Sequence, residues 1–106
     1  MKYNTHNTSS KIRTATTSLQ GTIECPYETL VLVFGKPMQG DEEDTDAEWD
    51  IEFEDGSIAN IYNWRTGIAF MGIEKGLSIE NITHWHVSGN NHRVMELVRE
   101  CLEISQ

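Results

Sequence analysis

The sequence predicts an α+β fold: a small, mainly antiparallel sheet with two helices packed on one face, in the order β-α-β-β-β-α. Three observations predict it. Residues 46–54 alternate apolar and acidic side chains at the period of a strand, with Ala47, Trp49, Ile51 and Phe53 on one side. Asp55-Gly56, a strong hairpin signal, separates that run from a second apolar run at Ile58, Ile61, Tyr62 and Trp64. Val94, Leu97, Val98, Cys101 and Leu102 recur at i, i+3, i+4, i+7 and i+8, one face of a helix. A chain of 106 residues at 38% hydrophobic supports one core and not two, so residues 18–106 are expected to form a single domain.

Residues 1–17 are rich in Thr, Ser and Asn and carry no apolar period, which predicts a flexible N-terminal tail. Its Lys2, Lys11 and Arg13 allow a second reading, in which it folds back on the acidic hairpin. From Thr17 to Glu24, Leu19, Gly21 and Ile23 alternate with polar residues, a strand in which Gly21 leaves room for close packing or a bulge. The first helix follows at once. Pro26 suits its first position, Tyr27, Leu30, Val31 and Phe34 share a face, and Gly35 with Pro37 ends it.

Residues 36–45 read as a loop leading into the hairpin. A two-residue Asp55-Gly56 turn would pair Phe53 with Ile58, Ile51 with Asn60 and Trp49 with Tyr62. Asn60 is out of pattern on that side, and a one-residue bulge would instead turn Ala59 and Ile61 inward. Residues 65–80 read as a loop with a short strand at Ile68–Met71, and Thr83–Val87 as a further strand. Ser88-Gly89-Asn90-Asn91 forms a turn that offers a cap to the last helix.

The formal net charge of −9 is local. Ten of the 17 acids lie in residues 41–55, which contain no Lys or Arg. Such a chain is repelled by nucleic acid phosphates and anionic membranes and attracted to basic protein surfaces or cations, so no direct nucleic acid partner is expected. Cys25 and Cys101 form no metal or redox motif and read as buried thiols. No apolar h-region opens the chain, and no window approaches the ~18 consecutive apolar residues of a membrane span. A cytoplasmic protein with no membrane association is the expectation.

The first candidate site is the acidic face: Asp46, Glu48, Asp50, Glu52 and Glu54 fall on every second residue, roughly 6.5–7 Å apart along a strand. Such a row repels itself, and its regular spacing imitates a nucleic acid backbone that could occupy a Lys/Arg groove. Solvation alone, protection of an exposed sheet edge or calcium binding are the competing uses. The calcium loop fails on its turn glycine, whose place Trp49 holds.

The second candidate site is His84, His86, Ser88, Asn90, Asn91, His92 and Arg93. The turn feeds a helix N-terminus, where free N–H groups beside His and Arg suit an anion or nucleotide. The three histidines lack a convincing fourth zinc ligand, so neither a metal nor another cofactor is assigned. A capped turn with sheet-packed histidines is the plain alternative. Trp49, Trp64, Trp85 and Tyr62 read as core or half-buried sheet aromatics, whereas Trp64 and Phe70 exposed together would mark a protein interface. No nucleophile elbow, phosphate-binding glycine loop or HExxH helix is present, and His86 with Glu80 is the one acid/base pair to suggest, so a binding protein is expected rather than an enzyme.

The elements S-L-Q-G at Ser18–Gly21, F-G-x-P at Phe34–Pro37, A-E-W-x-I-E-F-x-D-G at Ala47–Gly56, I-Y-N-W at Ile61–Trp64 and W-H-V-x-G at Trp85–Gly89 together resemble an uncharacterised family of short bacteriophage and large-virus proteins. Members typically end near Trp-His-Ile-Gly-Gly; here Ser88 replaces one glycine and a helix continues beyond. The resemblance implies viral origin, action in the host cytoplasm and a role against a host defence system. The leading expectation is a stoichiometric anti-CRISPR-type inhibitor whose partner is a basic host protein. A sponge for a nucleotide immune signal, a small metal-dependent enzyme and a homodimer stay open.

Overall fold

The computed structural model describes residues 2–6 and 17–104. Its strands are β1 Tyr3–Thr5, β2 Ser18–Glu24, β3 Met38–Gln39, β4 Ala47–Phe53, β5 Ile58–Tyr62 and β6 His84–Gly89. Its α-helices are α1 Tyr27–Phe34, the single turn α2 Ile68–Met71 and α3 Arg93–Ile104, and a 3-10 turn spans Ile79–Asn81. The fold is α+β, as the periodicities predict. The sheet runs β1-β4-β5-β6-β2, every pair antiparallel, with β3 also beside β4. Among the described residues, no helix is long and apolar enough to cross a membrane.

Alternation in β4 works as expected on one face. Trp49, Ile51 and Phe53 are buried with Ala59 and Ile61 of β5, Trp85 and Val87 of β6, and Leu30, Phe34, Val94 and Val98 of the helices. Trp49 and Trp85 meet edge to face at 5.3 Å, an arrangement worth about 0.5–1.5 kcal/mol beyond the area it buries. Their indole N–H groups also find partners at the two ends of α1: Trp85 Nε1 donates to Cys25 O at 2.9 Å and Trp49 Nε1 to Gly35 O at 2.7 Å. The tryptophan pair thereby fixes the position of the helix as well as filling the space beneath it. Pro26 precedes α1 as its cap, its carbonyl accepting from Leu30 N at 3.3 Å, one place earlier than the expected first helical position. Cys25 is buried and Cys101 half-buried.

Three sequence expectations are corrected. The hairpin turn contains three residues, Glu54 to Gly56: Phe53 N donates to Ser57 O at 2.8 Å, and Gly56 adopts φ +89°. The extra residue shifts the register, so that Ile51 faces Ala59, Trp49 faces Ile61 and Glu48 faces Tyr62. This is the inward Ala59 and Ile61 arrangement, and the Trp49–Tyr62 pair does not form. Second, Ile68–Met71 is a helical turn rather than a strand, since Met71 N bonds to Gly67 O at 3.0 Å and Gly72 N to Ile68 O at 2.9 Å. A four-residue apolar run carries too little period to separate the two. Third, part of the 36–45 loop is strand β3.

The start of the chain lies along the hairpin. Tyr3 pairs with Phe53, its ring meets Phe34 at 5.4 Å, and its hydroxyl donates to Val33 O at 3.0 Å. Backbone pairing and an aromatic anchor hold this strand. The expected tail segment with Lys11 and Arg13 lies outside the described residues.

Candidate functional site

The face of the sheet opposite the helices carries part of each candidate site. Because β5 lies between β4 and β6, Glu48 is beside Tyr62, Tyr62 beside His86, and His86 beside Thr22. The next rung sets Asp50 beside Asn60 and Asn60 beside Ser88. Tyr62 and Ser88 join their hydroxyls at 3.0 Å.

The carboxylates do not form one evenly exposed row. Asp46 is turned into the fold: Oδ1 accepts from Asn63 Nδ2 at 2.9 Å and Oδ2 from Ala69 N at 3.1 Å. Glu48 is half-buried and accepts from Thr45 Oγ1 at 3.2 Å. Burial pushes its carboxyl above the usual range, with Asp50 and Asp41 adding to the push and hydrogen bonds from Thr45 and Asn60 opposing it. Asp50 is only 2% exposed and accepts from Asn60 Nδ2 at 2.6 Å. Glu52 meets His6 at 3.2 Å, and Glu54 is exposed.

Exposed negative charge collects instead at the two ends of β4. In the loop before it, Asp41, Glu42 and Glu43 face solvent, and the Asp41 carboxylate accepts from the backbone N–H groups of Glu43, Asp44 and Thr45 at 2.8–3.0 Å. Those bonds, Thr45's foremost, hold Asp41 below the ordinary carboxylate range. After β4, Glu54 and Asp55 are exposed, with Asp55 meeting Arg93 at 3.2 Å.

The second residue set divides in two. His84 and His86 stand on the sheet face with rings 5.7 Å apart, and His84 pairs with Glu24. Burial, then the neighbouring His84, pushes the His86 imidazole down. Ser88 is buried on the same face. Asn90 and Asn91 instead secure the hairpin tip. Asn90 Oδ1 accepts from Ile58 N at 2.9 Å and its Nδ2 donates to Gly56 O at 3.1 Å, while Asn91 Oδ1 caps α3 by accepting from Arg93 N at 2.9 Å. His92 is exposed. The α3 N-terminus is thus capped by its own side chain and has Asp55 at its Arg93. Among the described residues, no group of three His, Cys, Asp or Glu side chains converges to hold a metal ion.

Trp64 and Phe70, expected as half-buried or exposed together, are 40% and 47% exposed. The Arg65 guanidinium lies over both rings, 5.0 Å from Trp64 and 4.6 Å from Phe70, while Arg65 Nε donates to Asp44 Oδ1 at 2.8 Å. Ile68, Met71, Ile73 and Leu77 are exposed in the same segment. Its ends are drawn together, with Leu77 N donating to Thr66 O at 3.1 Å, so it forms a compact surface loop. Residue pattern alone does not separate this segment from a buried strand, since its apolar content is that of a core element. Comparison with family models, with curated proteins and with solved structures returns no match.

Proposed function

We propose that this protein acts by stoichiometric binding to a basic protein surface, as an inhibitor of a host defence effector of the anti-CRISPR type, and not by turnover. One observation carries the reading: ten carboxylates within residues 41–55 have no Lys or Arg among them, and the exposed ones gather at the two ends of a single strand. Arg65 pairs with Asp44 and Arg93 with Asp55, and the His6 ring is in hydrogen-bond contact with Glu52. Asp41, Glu42, Glu43 and Glu54 stay exposed with no Lys or Arg paired to them among the described residues, a negative field suited to steering and orienting a Lys/Arg-lined groove. The resemblance to short phage proteins supports the choice of target.

Titration into a guide-loaded CRISPR effector nuclease tests the proposal. Cleavage of target DNA is expected to fall linearly to a 1:1 end point, and the variant Glu42→Lys/Glu43→Lys/Glu54→Lys, altered only at exposed positions, is expected to lose that inhibition. Inhibition by the reversed variant equal to that of the parent would remove the electrostatic basis of the proposal.

A further inference from the structure

The exposed segment between β5 and β6 presents an apolar surface at the large end of what a monomer leaves open. Trp64, Ile68, Phe70, Met71, Ile73 and Leu77 are between 40% and 84% exposed. At ~150–250 Å² per large aromatic and somewhat less per aliphatic side chain, those fractions leave on the order of 500 Å² in contact with water. That is the upper part of the ~300–600 Å² range for the largest patch on a monomer, where patches are often functional. The segment is also held rigidly. Asp46 Oδ2 accepts from Ala69 N at 3.1 Å, Thr66 O from Leu77 N at 3.1 Å, and Gly72 O from Gly76 N at 2.8 Å.

Charge decides what fits this surface. Asp44 neutralises the one guanidinium that lies on the aromatic rings, and Glu42 and Ile68 line the same cleft of about 310 Å³. The acidic loop therefore borders the apolar ledge, the arrangement of a hydrophobic interface centre with a charged rim. A second copy of this chain would bring a net −9 onto a net −9 with its own acidic rim.

We propose that this ledge is the apolar anchor of a protein interface whose partner is a basic surface carrying an apolar pocket, Phe70 and Ile73 entering the pocket and residues 41–43 pairing with its Lys/Arg border. The inference rests on the reading of the chain as a binder of basic protein surfaces, and adds the part that charge cannot supply.

Three peptides serve as probes: amphipathic Leu/Lys and Leu/Glu helices, and an all-polar Ser/Lys control. Trp49 and Trp85 are fully buried, so Trp64 emission reports events at the ledge. The Leu/Lys peptide is expected to bind with a blue shift in that emission, at least tenfold tighter than Ser/Lys, with no binding of Leu/Glu. Phe70→Ser/Ile73→Ser is expected to remove that tenfold advantage, about 1.4 kcal/mol, and leave Ser/Lys binding unchanged. Both positions are exposed, and an unchanged Tm verifies folding. Equal affinity of the parent for Leu/Lys and Ser/Lys, or no effect of the double substitution, overturns the ledge and leaves the charge reading standing. Binding to neither Lys peptide overturns both. A dimer in light scattering that Phe70→Ser/Ile73→Ser dissociates assigns the ledge to self-association and overturns the proposal.

Discussion

Asp46 and Asn63 are bonded to each other in both directions: Asp46 N donates to Asn63 Oδ1 at 2.8 Å, and Asn63 Nδ2 returns a bond to Asp46 Oδ1 at 2.9 Å. Asn63 has no exposed surface, and its Oδ1 also accepts from Ala47 N at 3.1 Å. The pair ties the entrance of β4 to the exit of β5, and the second Asp46 oxygen reaches Ala69 in the apolar ledge. One carboxylate of the acidic stretch thus supports the surface that its neighbours border.

Asn63→Ala is expected to leave the Asp46 and Ala47 N–H groups without acceptors inside the protein. At ~1–3 kcal/mol for each buried group left unsatisfied, the loss should total about 2–6 kcal/mol. In a domain of this size that lowers Tm by about 10 °C or more. Urea unfolding at neutral pH measures it, and a change below about 1 kcal/mol would mean that water replaces the amide.

Gly67 lies so close to Asp46 that an added Cβ would sit 2.2 Å from its Oδ1. Gly67→Ala should therefore displace the carboxylate, costing about 1–3 kcal/mol. In an Asp46→Ala background the obstacle is gone, so the cost should shrink by about 1 kcal/mol or more. A double-mutant cycle reads the coupling; strict additivity would place the strain elsewhere. Hydrogen exchange should show the Ala69 amide losing protection in both single variants while those of α3 keep theirs.

Much of this architecture is legible in the residues. The alternation of Trp49, Ile51 and Phe53 places the core face of β4, and the spacing of Val94, Leu97, Val98 and Leu102 places the buried face of α3. What local pattern does not carry is which strands become neighbours. The union of Glu48 with His86 depends on β5 lying between β4 and β6, a tertiary choice. The roles of Asp46 and Asn63 are equally silent, because an Asp in an acidic run and an Asn before a Trp look the same whether solvated or buried. Trp64 and Phe70 present the converse case, since apolar residues that serve an interface have the composition of a core.

Burial sets the sign of one pH effect. A carboxyl raised in the folded state favours its neutral form there. The Glu48 contribution is therefore fully present below the unfolded value and is lost as pH rises through the raised folded value. Glu48→Gln, which cannot ionise and can still accept from Thr45, is expected to be more stable than the parent at pH 7 and to converge with it in acid. Asp41 is shifted the opposite way, contributing above its unfolded value and losing that as pH falls. The parent's own profile mixes these with the lowered Asp55 and His86, so the diagnostic quantity is the difference between variant and parent urea midpoints across pH. A difference that does not change with pH would assign the Glu48→Gln effect to packing.

Asn90 separates a structural turn from a nucleotide site. Its side chain holds Ile58 N and Gly56 O, so Asn90→Ala should cost about 1–2 kcal/mol by releasing the hairpin tip from the start of α3. With Asn91 capping the helix and Asp55 paired to Arg93, an added phosphate would face an occupied cap and a carboxylate. Nucleotides and cyclic dinucleotides should then leave the parent Tm unmoved, whereas a ligand at 100 times its Kd would stabilise by ~2.7 kcal/mol, roughly 10 °C here. A nucleotide-dependent rise in Tm that Asn90→Ala or Arg93→Ala abolishes would reassign the turn to ligand binding. It would also return His86 and Ser88, on the neighbouring strand, to consideration as its wall.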